Sequence, residues 1–480
     1  MAAHETPRPG RVRLPGAVST LGLAVALAVA ACDRVDADPE VSGPVANLDA
    51  VAAERALPLE HFLAFFDPEP AVFASVSQDV FGQWRPAYAP MVIEAAEFSD
   101  HGPALLSALE GVTGQRFGGD PRRAYRWLWQ QDVPAYPAYG RFKSTLYQKI
   151  DPSLGAYFDD ATEGAKIRLD EIRWGGVARD GIPPLVNPKM IAAEEASYLD
   201  ADHVVFGVEV NGDARAYPKR ILAWHEMFKA TIGGVSLAGV YCTLCGSMVL
   251  YESEFEGTHH ELGTSGFLYR SNKLMYDHAT ESLWSTLRGE PVVGPLVGKG
   301  IRLTPRAVVT TTWAKWRERH PATQVLSLET GHRRDYGEGV AYRDYFATDA
   351  LMFDVPFEDR RLANKDEVLV LRFAPDARPT AIDVRHLAKT PLFRGRLGAR
   401  DYTVLTDASG AHRVYASDGV RFASYDGSVV VVAADGGRWQ LSEAGLTGPD
   451  GSRRDRLAAH RAFWFGWHAA HPDTLLLPAR

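Results

Sequence analysis

Two cysteines separated by two residues are the part of this sequence with the clearest chemical meaning. Cys242 and Cys245 are followed by Gly246 and lie between two apolar stretches, 235–241 and 247–251. The two-residue spacer lets both sulfur atoms face one ion, and the glycine can adopt the turn that directs backbone N–H groups toward them. We therefore expect a metal half-site that histidine or carboxylate side chains complete.

A histidine upstream is the first candidate to complete that site. His225 lies seventeen residues before Cys242, near the end of an amphipathic segment, 217–230, which a Gly-Gly turn joins to the cysteine strand. A chain folded back at this turn would bring His225 to the two sulfurs, and a Cys₂His site with an open position suits zinc or copper. Further candidate ligands are His259, His260 and His278.

Two carboxylates are predicted as catalytic groups. Glu226 adjoins His225, and Asp277 stands in the aromatic-rich stretch MYDHATESLW. A carboxylate beside a metal or a thiol can take or give a proton during a reaction. The competing interpretation of the stretch around Asp277 is a β-hairpin whose tyrosine and tryptophan belong to the core.

Two other interpretations of the cysteine pair stay open. The pair could be a redox dithiol, although such pairs usually open a helix whose N-terminus lowers the thiol pKa, and here a β-rich run follows instead. It could also be a structural disulfide across a tight turn, in a cell-surface module that binds a ligand between its lobes. The sequence alone does not choose among metal site, redox dithiol and disulfide.

Composition limits the partners of the protein. The chain has 480 residues and a formal net charge of −8, and it contains no long basic block, which argues against nucleic acid as a partner. Its 46% apolar content is typical of a globular protein with an ample core. Only three cysteines are present, so a fold held together by many disulfides is excluded.

The N-terminus predicts export and a lipid anchor. Residues 1–31 combine a short basic region with an apolar run too short to span a bilayer, and they end in Val-Ala-Ala before Cys32. The end of this run resembles a bacterial lipobox, which implies a lipid on Cys32. The expected partner is therefore a membrane, and the expected location is outside the cytoplasm. A polar tether, 32–47, follows.

The rest of the chain predicts an α+β protein. Periodic apolar residues broken by Pro and Gly turns indicate a helical domain over 48–165. From residue 166 onward, short runs rich in Val, Phe and Tyr alternate with turn residues, which is typical of strands. We expect this β-rich part to comprise two related lobes, 166–350 and 351–480.

The two lobes are inferred from a pattern that occurs twice. The first copy is Trp313-x-x-Trp316-x-x-x-His320-Pro321-x-Thr323-x-x-Leu326, and the second is Trp464-x-x-Trp467-x-x-x-His471-Pro472-x-Thr474-x-x-Leu477. The identical spacing favours an internal duplication. The second copy contains no cysteine, so the duplication predicts that the first lobe carries the site and the second supports it.

Several segments together resemble one known family. The runs RAYPKRILAWHE, VYCTLCGSMVLYE, SGFLYRSNKLMYDHATESLW and YRDYF are similar to an exported bacterial family catalogued as domain of unknown function 3179, over about 173–480. The resemblance carries over His225, Glu226, Cys242, Cys245, Asp277 and Trp284. Thr243 departs from the family pattern, where proline is usual, and so does His278. The resemblance implies a domain and a motif set, but no reaction.

The leading hypothesis from the sequence is therefore an exported, lipid-anchored protein with a copper or zinc site formed by Cys242, Cys245 and His225. Metal-dependent catalysis is one use of such a site, with Glu226 and Asp277 as its acid/base groups. The alternatives are a thiol-disulfide redox protein and a ligand-binding module at the cell surface.

Overall fold

The computed structural model describes residues 56–159, 161 and 164–478. The predicted signal peptide, the lipidation site Cys32 and the tether lie outside these residues. The described residues form two compact units, one comprising 56–128 with 133–142 and the other comprising 129–132 with 143–478. No helix within the described part is long and apolar enough to cross a membrane.

The N-terminal part of the described chain is helical, as predicted. Its helices are α1 (Leu59–Leu63), α2 (Pro70–Gly82), α3 (Ala89–Phe98), α4 (Gly102–Thr113), α5 (Pro121–Leu128), α6 (Tyr139–Gln148) and α7 (Pro152–Gly155), with 3₁₀ turns at Ala64–Phe66 and Pro86–Tyr88. Proline begins several of them, at a position whose N–H would have no partner in the helix. Gly114 ends α4 with a φ of 70°, which glycine adopts without strain.

The larger unit is rich in β-structure, so the predicted order of helices followed by strands is confirmed. Its first strands are β1 (Ile172–Trp174), β2 (Leu185–Val186), β3 (Met190–Ala192), β4 (Val204–Val210), β5 (Asp213–Pro218), β6 (Met227–Ile232), β7 (Val235–Cys242), β8 (Ser247–Glu252), β9 (Glu254–Phe255), β10 (Thr258–His259), β11 (Leu262–Tyr269), β12 (Asn272–Asp277), β13 (Leu283–Ser285), β14 (Glu290–Val293), β15 (Pro305–Arg306), β16 (Val309–Thr312) and β17 (Gln324–Leu326). The helices among and after them are α8 (Lys219–His225), α9 (Trp313–Arg319) and α10 (Arg343–Phe346).

The remaining strands follow α10. They are β18 (Glu367–Leu371), β19 (Thr380–Asp383), β20 (Leu392–Leu397), β21 (Arg400–Thr406), β22 (His412–Ala416), β23 (Phe422–Tyr425), β24 (Val430–Ala433), β25 (Arg438–Leu441), β26 (Gly445–Thr447), β27 (Arg453–Leu457), β28 (Ala459–Phe463) and β29 (Leu475–Leu477). Helices α11 (Val384–Lys389) and α12 (Trp464–Ala470) lie among them. Strands β20 to β27 form one eight-stranded antiparallel sheet. The sequence predicts a β-rich lobe over 351–480 but not this sheet as a distinct part of it.

Two sheets position the cysteines. The first has the order β15-β8-β7-β6-β2, and the cysteine pair lies at the antiparallel β7–β8 connection, where Cys242 is in register with Ser247. The second has the order β1-β11-β12-β13-β14 and supplies residues 271–273 to the site. A buried apolar cluster that includes both cysteines, Phe463 and Tyr345 covers the connection.

Two further sheets share one topology. In β16-β4-β5-β17-β3 and in β28-β18-β19-β29, a central antiparallel hairpin is flanked by an antiparallel strand on one side and a parallel strand on the other. In each, a helix that begins with tryptophan follows the antiparallel outer strand. Trp316 donates to the Thr323 hydroxyl over 2.9 Å, and Trp467 donates to the Thr474 hydroxyl over 2.8 Å.

Candidate functional site

The turn between β7 and β8 brings the two sulfurs together. Gly246 has a φ of 58°, a conformation that side chains rarely adopt, and a Cβ atom there would lie 2.9 Å from the ring of Phe463. Cys242 and Cys245 are free thiols whose Sγ atoms are 2.7 Å apart and share a hydrogen bond. The Cys245 thiol also lies 3.2 Å from the Ser271 carbonyl oxygen. The tight turn therefore holds the sulfurs in direct contact.

The two thiols differ in their electrostatic surroundings. Burial raises the pKa of Cys242, but the hydrogen bond with Cys245 and the backbone N–H groups of Lys273 and Cys245 outweigh it, so that the pKa is lowered from its ordinary value. At Cys245, burial and then the bond to Cys242 raise the pKa well above its ordinary value. Cys242 is therefore the thiol that ionises first. Here backbone N–H groups supply the stabilisation that a helix N-terminus supplies in other dithiols.

A buried ion pair adjoins the dithiol. The Lys273 ammonium group donates to Glu226 Oε2 over 2.7 Å, and the Thr243 hydroxyl donates to Glu226 Oε1 over 2.7 Å. Tyr342 adds a longer hydrogen bond to Oε1, at 3.3 Å. Both charged side chains are buried, which is tolerated because each has a partner of opposite charge. The carboxylate also raises the pKa of both thiols, since its negative charge opposes a second one nearby.

Backbone geometry places Glu226 at this pair. It follows the last residue of α8 and has a φ of 55°, the left-handed conformation that ends a helix. Its N–H donates to the Leu222 carbonyl oxygen, and its own carbonyl oxygen accepts from Tyr241 N–H on β7. The turn at Glu226 thus ties the end of α8 to the strand that leads to Cys242.

A small cavity of about 70 Å³ opens onto one of the two thiols. Cys242 lines it, together with Glu226, Thr243 and Lys273, whereas Cys245 does not. The other lining residues are mostly apolar: Gly175, Val177, Ile182, Leu244, Thr264, Gly266, Phe267, Leu268, Tyr342, Met352 and Phe353. Cys242 is 3% exposed and Cys245 is 1% exposed, while Met352 is 41% exposed. Cys242 itself is therefore almost fully covered, while the cavity in front of it reaches the exposed side chain of Met352.

His225, the predicted third metal ligand, uses both ring nitrogens in other contacts. Nδ1 lies 2.9 Å from the Pro183 carbonyl oxygen, so it carries the proton and donates, and Nε2 accepts from the Tyr336 hydroxyl at 2.6 Å. The pKa of His225 is lowered to about 4, mainly by burial and to a smaller extent by His332 and Arg334, while the hydrogen bond with the Pro183 carbonyl acts in the opposite direction. The ring is thus neutral and has no nitrogen left for a metal in this arrangement.

Asp277, the second predicted catalytic carboxylate, closes a turn at the end of β12. Its Oδ1 accepts from the backbone N–H groups of Ala279 and Thr280, at 3.1 and 2.9 Å, and its Oδ2 lies 3.1 Å from Nδ1 of His260. It does not line the cavity at Cys242. The structure thus gathers Glu226, Cys242 and Cys245, and it gives His225 and Asp277 partners of their own.

Across the described residues, no group of three or more His, Cys, Asp or Glu side chains is arranged to hold a metal ion. Of the remaining candidates, His259 lies on the exposed strand β10, and His278 contacts the ring of Tyr276. The copper or zinc site therefore stays a prediction.

Two residues of the site were not anticipated. One is Lys273, which lies on β12, a strand whose six residues are all buried. The other is Tyr342, which immediately precedes α10. The only signal for Lys273 in the sequence is a lysine inside the run SNKLMYD, where lysine in a buried strand is rare and needs a partner of opposite charge.

Comparison with known proteins gives one match. A family model described as "Protein of unknown function (DUF3179)" matches residues 179–474, which is more than half of the chain. No curated protein and no solved structure matches. The matched range includes Glu226, Cys242, Cys245 and Lys273, whereas the cavity-lining residues Gly175 and Val177 precede it.

The ion pair predicts a strong stability coupling. We expect Lys273→Met to lower the free energy of unfolding by about 3–5 kcal/mol, because it leaves a buried carboxylate without its partner. Glu226→Gln together with Lys273→Met should cost clearly less than the sum of the two single changes. Urea unfolding of the four proteins measures this coupling.

An exposed pair provides the control. Lys189 and Glu329 are 2.6 Å apart with side chains 52% and 75% exposed, so Lys189→Met should change stability by less than about 1 kcal/mol. Equal costs for Lys273→Met and Lys189→Met would show that the pair at the site does not have the predicted role.

Proposed function

This chain belongs to the DUF3179 family of proteins of unknown function, and we propose that it is a thiol-disulfide redox protein whose reactive pair is Cys242 and Cys245. The observation that carries the proposal is the asymmetry of the pair: Cys242 lines a cavity and has the lowered pKa, while Cys245 lies behind it, 2.7 Å away, with a raised pKa. These are the properties expected of an attacking thiolate, here Cys242, and of a resolving thiol, here Cys245.

The chemistry follows from the positions of the two sulfurs. The Cys242 thiolate attacks an oxidised substrate atom and forms a bond to it, and the electron pair leaves with the other half of the substrate. Cys245 then attacks Cys242 Sγ, displaces the bound half and closes the disulfide. Glu226, which lines the same cavity as Cys242 and is paired with Lys273, is the carboxylate that can accept a proton released in this exchange.

The contacts of His225 favour this function over a Cys₂His metal site. Binding copper or zinc through His225 would require its ring to leave the Pro183 carbonyl oxygen and the Tyr336 hydroxyl. The metal-site hypothesis therefore needs a larger rearrangement than disulfide formation does.

We further propose that the protein is exported and held at a membrane by a lipid on Cys32. The support is the sequence alone: a basic region, an apolar run of about fifteen residues and a lipobox-like end at Val-Ala-Ala-Cys. Outside the cytoplasm a dithiol is readily oxidised, which agrees with a pair that cycles between thiol and disulfide.

We also infer that the β-rich part arose by internal duplication. The support is the shared topology of the sheets that contain β4–β5 and β18–β19, and the equal Trp–Thr hydrogen bonds at the repeated sequence pattern. Each threonine hydroxyl also donates to a backbone carbonyl 3.0 Å away, that of Ala214 in one sheet and that of Pro379 in the other.

The redox function predicts unequal reactivity of the thiols. In the reduced protein, a small alkylating agent should modify Cys242 before Cys245, with a pH midpoint below the value of about 8.5 for a free cysteine. The rate should fall as the pH drops below the lowered pKa of Cys242, because only the thiolate reacts. Mass spectrometry of the alkylated protein measures both.

Matched variants and metal analysis test the alternatives. Cys245→Ser should leave Cys242 reactive and prevent reversible disulfide formation, while Cys242→Ser should abolish both. Stoichiometric copper or zinc in the reduced wild-type protein, absent from Cys242→Ser, would instead establish the metal site. A disulfide that small dithiols reduce only after unfolding would establish a structural role.

The lipid anchor predicts a dependence on one residue. When expressed in a bacterial host, the wild-type protein should fractionate with membranes, and Cys32→Ser should release it or leave the signal peptide uncut. Labelling with a fatty-acid analogue should mark the wild type alone. Equal labelling of Cys32→Ser would contradict the anchor.

The duplication predicts equal roles for two threonines. Thr323→Val and Thr474→Val each remove the acceptor of a buried tryptophan N–H, and each should cost about 1–3 kcal/mol in urea unfolding. Thr310→Val, on the half-buried face of β16, is the control and should have little effect. A cost at one threonine only would argue that the two sheets are not equivalent.

A further inference from the structure

The cavity at Cys242 restricts what can reach the sulfur. Its volume of about 70 Å³ compares with roughly 300–1,000 Å³ for pockets that bind drug-sized ligands. A single water needs roughly 10–15 Å³ of such a cavity, so this one holds a few waters or one small molecule of the same total volume. A peptide disulfide, with backbone on both sides of the sulfurs, is too large for this space.

The atoms around the cavity suit a small neutral oxidant. Most of the walls are apolar, and Val177, Ile182 and Phe353 are among them, so a charged reagent would lose its hydration on entering. Thr243, Glu226 and Lys273 are polar residues of the lining that belong to the hydrogen-bonded group beside the cysteine turn, and Thr264 and Tyr342 add two hydroxyl groups. A small molecule that accepts and donates hydrogen bonds therefore finds polar partners near Cys242.

From this geometry we propose that Cys242 reduces hydrogen peroxide or a comparably small hydroperoxide, and that the small volume of the cavity excludes peptide disulfides. The inference rests on the redox function proposed above and adds its substrate class. Two sulfurs in contact are also what rapid resolution requires, because Cys245 can reach the oxidised Cys242 without movement of the backbone.

The reaction balances with groups of this chain and a named reductant. The Cys242 thiolate attacks one peroxide oxygen, the O–O bond breaks, and the leaving hydroxide takes a proton from the Lys273 ammonium group, giving Cys242 sulfenic acid and water. The proton that Cys242 released on ionising returns Lys273 to its charged form. The Cys245 sulfur then attacks Cys242 Sγ, and its proton leaves with the hydroxyl as a second water. A small dithiol returns the disulfide to two thiols and is itself oxidised.

Reduction of the Cys242–Cys245 disulfide by a dithiol requires the cavity to open, whereas oxidation of Cys242 by peroxide does not. A dithiol must bring its own sulfur to a disulfide that is almost completely buried. The segment with Met352 and Phe353 lines the cavity, and the Phe353 carbonyl oxygen accepts a 3.3 Å hydrogen bond from the Ser271 hydroxyl. Displacement of this segment exposes Cys242, so reduction should be slower than oxidation by peroxide.

Rapid-mixing kinetics of the purified, reduced protein test the proposal. Hydrogen peroxide should oxidise the folded protein at least about 100-fold faster than the urea-unfolded protein at the same pH, the lower end of what a positioned proton donor contributes. A bulky aromatic disulfide should show the opposite order and react faster with the unfolded protein. In Cys245→Ser, peroxide should produce a sulfenic acid on Cys242 that a carbon nucleophile traps, and Cys242→Ser should not react.

Two exposed apolar residues provide a matched test of access. Met352 lines the cavity and is 41% exposed, whereas Leu328 does not line it and is 40% exposed. Met352→Ala should speed the reaction with the bulky disulfide several-fold, and by a larger factor than it changes the peroxide rate. Leu328→Ala should change neither, and circular dichroism of each variant verifies that it is folded.

The outcomes separate this proposal from the broader one. If peroxide reacts no faster with the folded than with the unfolded protein, while a dithiol buffer still cycles the pair, the peroxide substrate is wrong and the thiol-disulfide function stands. If neither peroxide nor the dithiol buffer changes the oxidation state of the folded protein, both are wrong.

Discussion

The ion pair between Glu226 and Lys273 is the constraint on which the arrangement of the site depends. Neither side chain can be buried alone, because an unpaired charge in a dry environment costs several kcal/mol. The carboxylate comes from the end of α8 and the ammonium group from β12, so pairing them brings two separate sheets together. The cysteine turn lies at this junction: Thr243 donates to the same carboxylate, and Lys273 N–H stabilises the Cys242 thiolate.

The sequence supports the local parts of this arrangement and not the long-range ones. The turn at Cys242 and Cys245 was predictable because spacing and glycine act within five residues. The sequence predicts Glu226 as a catalytic carboxylate because it adjoins His225. In the structure, however, the left-handed turn at Glu226 directs the two side chains to different partners. His225 therefore binds Tyr336, more than a hundred residues away in the chain, which no local pattern reveals.

Lys273 is a second residue whose partner cannot be identified from the local sequence. A lysine inside an apolar strand is a strong indication of a buried ion pair, yet its partner, 47 residues earlier, is identified only when β12 packs near the end of α8. The fold class and the order of helices and strands were predictable from periodicity. The eight-stranded sheet formed by β20 to β27 was not, since short strands with ordinary turns do not indicate which of them pair.

The sheet formed by β28, β18, β19 and β29 contacts the cysteine turn, which belongs to a different sheet. Phe463, at the end of β28, donates its N–H to the Cys245 carbonyl oxygen over 2.7 Å, and its ring occupies the space where Gly246 has no side chain. In α12, the Gly466 carbonyl oxygen accepts from the Asn272 side chain at 2.9 Å, one residue before Lys273. The connection between β28 and α12 thus contacts both parts of the site. Phe463 binds the cysteine turn, and Gly466 binds the strand that carries Lys273. Phe463 thus supports the cysteine turn from a neighbouring sheet, because its ring fills the space beside Gly246 while its N–H binds the Cys245 carbonyl oxygen, and the turn keeps the two thiols in contact.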